Sequence, residues 1–446
     1  MKKIIIPKNI VTVNNKNEIL KEHYIEIENG IITEIDNIKK LKLKKTEFEV
    51  FKFPNLTMIP GFVQTHVHLC QTLFRGLAED MELLDWLQKR IFPYENAHTS
   101  ESLRISTQLG IHELQKSGTT TLLDMGTINY QEVIFDELIQ SQMRATAGKC
   151  MMDINDLYPD FIESTEDSLT RTSELAREFH DTNNQKIKYG FAPRFVLSCS
   201  EELLTTTKEM MQDFAGSIFH THSSENKNEI EAVKKMYNME NIEYFSSINV
   251  LDNHTVLAHG IHVNEKEIGL LKKTDTRISH CPSSNLKLAS GIADIPRYLA
   301  EGISVSLGAD GAPCNNNLSQ FREMRLASLI QKPIYGATEM DARTVFRLAT
   351  IDGAKALHLE NNIGSIEIGK KADLVLLNLE KSNLTLTDKN IYSSIIYSAS
   401  AENVEEVMID GNWVVQKNNS VFYDEKELYA KGKEELNKLL KRTKIN

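Results

Sequence analysis

Two histidines separated by one residue end the first long apolar run of the chain, as His66 and His68 in GFVQTHVH. Residues two apart in an extended strand point to the same face, so both imidazoles can bind one metal ion. A pair of this kind also arises by chance at a polar strand end. The two histidines therefore predict a metal site only if further ligands occur at equivalent places in the chain.

Further candidate ligands lie at the ends of later apolar runs. His222 is followed three residues later by Glu225 in HTHSSE, which lets a carboxylate lie beside a metal-activated water without ligating the metal. Asp310 ends SVSLGAD, and a carboxylate that ends a buried run is costly unless it is paired or binds a metal. The four side chains that could share one metal are thus His66, His68, His222 and Asp310.

Two more histidines end apolar runs between these positions. His259, in TVLAH, is well placed to polarise a substrate or to hold an attacking water. His280, in RISH, either lines the same pocket or packs as a buried neighbour. His220 faces the same side of its run as His222 but lies deeper, which favours a structural, hydrogen-bonded role.

The sequence lacks the motifs of several competing chemistries. It has no GxGxxG after the first strand, no phosphate-binding GxxxxGK[ST], no GxSxG nucleophile and no HExxH zinc motif. The paired HxE and PCxxC signature of another zinc deaminase class is also missing. Water activated by a metal is the chemistry that remains.

The candidate residues fall at the ends of eight apolar runs that alternate with helical patterns, which is typical of repeated βα units. The runs are Met58–His66, Thr119–Asp124, Arg144–Cys150, Ile187–Pro193, Ser217–His222, Thr255–His259, Arg277–His280 and Ser304–Asp310. Eight such units close a (β/α)8 barrel, and barrel enzymes keep their chemistry at the C-terminal ends of the strands. The fold class is therefore α/β, a TIM-like barrel.

Both ends of the chain have a different character from the centre. Asn29-Gly30 and Asp410-Gly411 are strong hairpin signals between β-type segments. We therefore expect a small β-sandwich domain built from both termini, residues 1–55 and 366–446, around a barrel of residues 56–365.

Composition limits the partners and the compartment. A formal net charge of −11 and a pI near 5.7 argue against binding to nucleic acid or to anionic membranes. The five cysteines form no CxxC pair, which fits a reducing cytoplasm better than a disulfide framework. The basic start has too short an apolar run for a signal peptide, and no segment is long and apolar enough to span a bilayer. We therefore expect a cytoplasmic protein.

Five segments, taken together, resemble one branch of the amidohydrolase superfamily, the cytosine/guanine and methylthioadenosine/S-adenosylhomocysteine deaminases. The segments are PGFVQTHVHLCQTLFRGLAED, HTHSSEN, VLAHGIH, SHCPSSNLKLASGIADIP and LGADGAPCNNNLSQFREMRLAS. The resemblance implies one divalent metal, zinc with iron as the alternative, bound by His66, His68, His222 and Asp310. It also implies that Glu225 shuttles protons and that His259 contacts the attacking water, while Asp310 can take the proton of that water.

The resemblance points to an aminopurine substrate but divides between two groups. Gln71, Arg194 and Phe195 are similar to the base-reading residues of guanine deaminases. RGLAEDMELLDWL, which ends just after Trp86, and the PYE that ends at Glu95 are similar to the methylthioadenosine/S-adenosylhomocysteine group, in which the acid holds ribose hydroxyls. Guanine deaminases also carry an acid at this position, so Glu95 does not discriminate between the two groups. Because arginine offers only donors and guanine presents acceptors, the sequence favours guanine or a related free base. Adenine nucleosides are the alternative.

Two readings outside deamination stay open. The protein could be a chlorotriazine hydrolase of the same branch, because the residues of the pocket decide which group leaves when metal-activated water attacks. The barrel could also be a non-catalytic metal-binding partner in an assembly, although the joint presence of Glu225, His259 and Asp310 argues against it. By analogy with similar barrels, we expect a homo-oligomer acting on a small-molecule aminopurine.

Overall fold

The computed structural model describes residues 2–42, 48–383, 385–443 and 445, and its centre is a ring of eight parallel strands. The last main strand, Val305–Leu307, pairs with Arg277–His280, and the short strand Asp310–Gly311 that follows it pairs with Phe62–His68, so the sheet closes on itself. The eight strands are Phe62–His68, Thr119–Asp124, Arg144–Ala147, Ile187–Pro193, Ile218–Ser223, Thr255–His259, Arg277–His280 and Val305–Leu307, with Cys150–Met151 as a further short strand. The predicted barrel is confirmed.

The first predicted run was wrong at its start. Met58 to Pro60 end a long strand of the accessory sheet, Phe48–Pro60, and the barrel strand begins only at Phe62. The chain changes sheets at Gly61, where a Cβ atom would lie 2.0 Å from Oγ1 of Thr120. The apolar pattern runs through this change because both strands are buried, so hydrophobicity alone could not locate it.

Almost every residue of the eight barrel strands is buried, because side chains fill the barrel on one face and helices cover the other. Several of these helices begin at a residue whose side chain accepts a backbone N–H, such as Thr99, Ser164, Ser200, Asn226 and Asn264. The α-helices of six or more residues around the barrel are Ser100–Lys116, Gln131–Gln140, Thr165–Phe179, Glu201–Met210, Lys227–Tyr237, Asn241–Ser247, Glu265–Thr274, Pro282–Lys287, Ile295–Ala300, Gln320–Tyr335, Ala342–Leu348 and Ile351–Ala356.

Both termini build one mixed sheet, as predicted. Its strands are Lys2–Val11, Ile19–Lys21, His23–Glu28, Ile31–Asn37, Phe48–Pro60, Leu374–Leu377, Val404–Ile409, Asn412–Gln416 and Asn419–Ser420. Asn29-Gly30 and Asp410-Gly411 form the two expected hairpin turns, all four residues at positive φ. Phe48–Pro60 runs across the predicted boundary at residue 55, so the domain limits stay predictions; residues 1, 43–47, 384, 444 and 446 of that region lie outside the described residues.

The last helix, Glu425–Arg442, packs against Ser100–Lys116 on the outside of the barrel. Leu428 and Leu439 are buried in this contact, and Gly432 lies so close to Leu109 that a Cβ atom would be 3.0 Å from a leucine methyl. None of the helices in the described parts of the chain is both long enough and apolar enough to cross a membrane.

Candidate metal centre and substrate pocket

The structure brings the four predicted metal ligands together at the C-terminal end of the barrel. One ligand atom from each of them can be chosen so that all four lie within 4.8 Å of one another: His66, His68, His222 and Asp310. Nε2 of His68 lies 3.2 Å from Nε2 of His222, and Oδ1 of Asp310 lies 3.3 Å from Nε2 of His66 and 3.4 Å from Nε2 of His68.

These separations fit a single small cation. Ligand atoms at 2.0–2.1 Å from one zinc ion in a tetrahedron lie roughly 3.3–3.4 Å from each other. Nδ1 of His222 is 2.7 Å from the carbonyl oxygen of Arg194 and must donate to it, which leaves the Nε2 lone pair free. Nε2 of His66 is buried and has no hydrogen-bond partner among the described residues. The donor set therefore suits a divalent metal, and four ligands suit one ion.

His220 lies beside this centre as a structural residue, as expected. Its Nε2 is 2.9 Å from Nδ1 of His66, so it holds that ring with Nε2 directed at the other ligands. Burial, followed by the charge of nearby His66, lowers the pKa of both His220 and His222 well below the usual value. The imidazoles are therefore neutral, which is the form that binds metal.

Asp310 is fixed by hydrogen bonds and by an unusual backbone. Its Oδ2 accepts from the hydroxyl of Ser284 at 2.6 Å, and its Oδ1 accepts from the N–H of Gly311 at 2.7 Å. Burial alone would raise its pKa, but the nearby imidazole of His66 holds the pKa well below the usual range. Asp310 and His259 both have positive φ, 62° and 74°, a strained conformation that clusters at functional sites.

Glu225 lies beside the ligands without belonging to them. Its Oε2 is 3.4 Å from Nε2 of His259, while its buried Oε1 has no hydrogen-bond partner among the described residues. Burial, then the negative charges of Asp310 and Glu229, raise the pKa of Glu225 well above the usual value. A carboxyl group in such surroundings takes up a proton more readily than an exposed glutamate, which suits a general acid.

His259 is oriented by a residue that the sequence analysis missed. Its Nδ1 lies 2.8 Å from Oδ1 of Asn285, and its Nε2 faces Glu225 and, at 3.9 Å, Oδ2 of Asp310. Asn285 and Ser284 follow His280 in SHCPSSN, and they reach the centre because Pro282–Lys287 begins a helix there. Nothing in their residue types distinguishes them from ordinary helix-start residues.

Glu229 was also missed, although a signal for it was present. It lines the pocket, and its Oε2 accepts from the backbone N–H groups of Glu225 and Asn226 at 2.9 and 3.3 Å. Asn226 and Glu229 form a capping box at the start of the helix Lys227–Tyr237. The N-x-x-E spacing predicts that arrangement from sequence, and it fixes the loop that carries Glu225.

Three of the predicted substrate residues form one buried cluster. The guanidinium of Arg194 lies against Glu95, with Nη1 2.7 Å from Oε2 and Nη2 3.2 Å from Oε1, and Gln71 donates to Oε1 at 2.8 Å. The guanidinium also lies over the ring of Phe92, 5.0 Å from its centre. Gln71 and Arg194 line the pocket, and Glu95 lies directly behind them.

Trp86 and Phe195 also line the pocket, with Leu83, Leu87 and Leu288 as apolar neighbours. The free volume among these residues is about 30 Å³, far below the roughly 300–1,000 Å³ of ordinary small-molecule sites. The structure is therefore closed around the site. Leu83, Trp86 and Leu87 belong to a short helical segment that forms one wall of this closed pocket.

His280 is the predicted residue that the structure does not bring to the pocket. It is fully buried at the end of its strand and is absent from the lining residues, and neither ring nitrogen has a hydrogen-bond partner among the described residues. Burial, with the charge of His259, lowers its pKa to about 3. Of the two expectations for His280, the structure favours the packed neighbour.

Comparison with known proteins identifies the family. The model of the Amidohydrolase family matches residues 57–414, which is most of the chain. The chain belongs to the amidohydrolase family. This membership agrees with the barrel, the four ligands and the position of Glu225.

The curated relatives of this amidohydrolase are named for adenine nucleosides. A 5-methylthioadenosine/S-adenosylhomocysteine deaminase of Thermodesulfovibrio yellowstonii is 34% identical over 427 residues, 95% of each chain. A 5'-deoxyadenosine deaminase of Methanobrevibacter smithii is 35% identical over 423 residues, 94% of this chain and 95% of the relative.

Solved structures extend the comparison. An adenosine deaminase from Xanthomonas campestris with bound zinc has a TM-score of 0.90 and 27% identity and covers 98% of each chain. The guanine deaminase of E. coli has a TM-score of 0.84 and 26% identity, over 93% of this chain and all of its own. This amidohydrolase is thus a hydrolase acting on carbon–nitrogen bonds, and these relatives argue against a non-catalytic barrel.

Proposed function

We propose that this amidohydrolase deaminates adenine nucleosides, of the 5'-methylthioadenosine, S-adenosylhomocysteine or 5'-deoxyadenosine type, rather than guanine. The observation that carries the proposal is that relatives 34–35% identical over nearly the whole chain are named for these nucleosides. The expectation of guanine rested on Arg194 as a free donor for a base. In the structure, Glu95 occupies the guanidinium fork with both carboxylate oxygens, which weakens that expectation.

The buried acid supports a nucleoside in a second way. Glu95 offers a carboxylate next to the pocket, and carboxylates accept hydrogen bonds from hydroxyl pairs such as those of ribose. Arg194 and Gln71 hold this carboxylate in one orientation, and the ion pair with Arg194 compensates its buried charge. Trp86 adds an indole N–H that is buried without a partner among the described residues, and such groups usually find an acceptor.

The residues of the site suffice for hydrolysis of an amino group. A divalent metal bound by the four ligands, zinc in our proposal, would supply Lewis-acid activation of water near neutral pH. Glu225 can donate the proton it carries to the ring nitrogen next to the attacked carbon. Asp310 can accept one proton from the attacking water and return it to the amino group, which leaves as ammonia when the C–N bond breaks. The second proton of the water then passes from the new hydroxyl group to Glu225, which restores that carboxyl group and leaves a carbonyl product. His259, which is oriented by Asn285, can hold the attacking oxygen in position towards the ring carbon.

A second candidate, guanine, remains because Arg194 and Phe195 both line the pocket and E. coli guanine deaminase is structurally similar.

Ammonia release from 5'-methylthioadenosine, S-adenosylhomocysteine, 5'-deoxyadenosine, adenosine and guanine, compared through kcat/KM, tests the proposal. We expect the nucleosides with modified 5' positions to be turned over fastest. A kcat/KM for guanine above that of every nucleoside would overturn it, and chloride release from a chlorotriazine without ammonia from any purine would indicate the chlorotriazine hydrolase instead. Cytoplasmic location and homo-oligomerisation stay predictions.

A further inference from the structure

A second, larger cleft lies on the side of the barrel, between the helix Ser100–Lys116, the start of Gln320–Tyr335, residues 397–402 and the final helix. Its volume is about 830 Å³, and it shares no lining residue with the pocket at the metal ligands. This volume lies within the range of sites that hold small organic ligands. The cleft is therefore large enough to hold a small organic ligand of its own.

Basic side chains dominate the wall of this cleft. Arg75, Lys116, Arg322 and Arg325 line it, against the two acids Glu113 and Glu402. Arg75 pairs with Glu113, and Lys116 pairs with Glu425 at 2.6 Å. Arg322 and Arg325 form no ion pair with any residue in the described ranges, although the protein carries a net charge of −11. Arg325 donates through Nη1 to the carbonyl oxygen of Tyr397 at 3.2 Å. Two cations three residues apart lie on one face of a helix, so the donors of Arg322 and the remaining donors of Arg325 are available to one anion.

The start of the helix Gln320–Tyr335 adds a separate indication of a ligand. Its N-cap residue, Ser319, is 8% exposed, lines the cleft, and has a hydroxyl that finds no hydrogen-bond partner in the described parts of the chain. The hydroxyl does not cap the helix either. A buried hydroxyl without a partner is destabilising, and the free N–H groups of a helix start attract anions.

We propose that this cleft binds a small phosphate ester, with its phosphate at the Ser319 hydroxyl and the helix start, between Arg322 and Arg325. Arginine pairs well with phosphate because its donor fork matches two phosphate oxygens. The exposed ring of Tyr429, on the opposite wall, offers an apolar surface for the organic part. The site is independent of the metal centre and of the substrate proposed above.

Calorimetric titration of the metal-loaded enzyme at constant ionic strength tests the proposal, with inorganic phosphate and phenyl phosphate as probes and phenol as the uncharged control. We expect one site per chain for each phosphate probe, tighter for phenyl phosphate, and none for phenol. Arg322→Gln and Arg325→Gln should each raise Kd, and the double variant should raise it by about tenfold or more, as expected for charged hydrogen bonds. Ser319→Ala should weaken binding with both arginines in place.

Arg177→Gln is the matched control. Arg177 is exposed and lines none of the described clefts, and its replacement removes the same single charge. It should leave Kd unchanged, and all variants should keep the Tm of the unmodified enzyme. If neither phosphate probe saturates a site at about 10 mM, any binding is weaker than millimolar, and the proposal is overturned. Unchanged affinity in the double variant, with phosphate competing against substrate, would place the anion at the metal centre and overturn it equally.

Discussion

The carbonyl oxygen of Arg194 accepts from Nδ1 of His222 at 2.7 Å, while the side chain of the same arginine holds Glu95 at 2.7 Å on the substrate side of the pocket. One residue therefore orients a metal ligand through its backbone and a candidate substrate residue through its side chain. The two contacts separate under mutation, because only the second depends on the identity of residue 194.

Replacing Arg194 by alanine should therefore leave the metal content unchanged and damage substrate binding. The Glu95 carboxylate would lose its ion pair in a buried position, which costs several kcal/mol in comparable sites. We expect a lower Tm and a KM for the nucleoside that rises by about tenfold or more. Metal analysis beside steady-state kinetics checks both parts. Loss of metal in Arg194→Ala would show that the side chain also supports the centre.

The metal content itself should be one divalent ion per chain, since four ligand side chains converge and the described residues offer no second such group. His222→Gln should lose that ion, and chelation should lower Tm because bound metal stabilises the folded state. His254→Gln is the control, since His254 is half-buried far from these ligands in the chain. Two ions per chain in the purified enzyme would contradict the single-ion assignment.

Glu225→Gln should keep the metal and the substrate affinity while kcat falls by a factor of about 100 or more, the usual cost of removing a general acid and base. The reason is that glutamine keeps the shape of Glu225 but cannot donate and then accept the proton. Glu231→Gln, an exposed position a few residues later, should behave like the unmodified enzyme. Metal loss in Glu225→Gln would make Glu225 a ligand and refute its assignment.

Asn285→Ala should reduce kcat more than it changes KM. The substitution leaves Nδ1 of His259 without its 2.8 Å partner, and an unsatisfied buried group costs about 1–3 kcal/mol. The metal should remain, because the side chain of Asn285 forms no hydrogen bond with any of the four candidate ligands in the described structure. Asn253→Ala, at an exposed position, serves as the control. An equal rise in KM with kcat preserved would mean that Asn285 serves substrate binding instead.

The sequence predicted the barrel and the four side chains that cluster at its rim because both follow from local patterns. Buried runs of strand length end in His222, His259 and Asp310, and in a parallel barrel all such ends meet at one rim. Four of the eight predicted runs match their strands residue for residue, among them Thr119–Asp124 and Ile187–Pro193.

Partners that meet only through folding could not be predicted in the same way. Asn285 reaches His259 from the next βα unit, and Glu95 meets Arg194 across 99 residues of sequence. No periodicity encodes either contact. The guanine preference failed to gain support for the same reason: the sequence shows an arginine, but only the fold shows that a carboxylate already holds it.

Trp86 should report the opening of the pocket. The free space beside it is about 30 Å³, too small for the proposed nucleoside, so a wall of the pocket has to move. We predict that this wall is the segment around Leu83–Trp86, with a motion on the microsecond to millisecond scale expected for active-site segments. The protein has two tryptophans, and the other, Trp413, packs against Phe51 and Phe53 in the accessory sheet.

In Trp413→Phe, rapid mixing with a nucleoside should change the fluorescence emission of Trp86. The observed rate should level off at high substrate concentration, because the segment must open before the nucleoside binds. Trp86→Phe should lose the signal. A Trp413→Phe enzyme that turns over substrate without any change in emission would show that the pocket admits the purine without moving this segment.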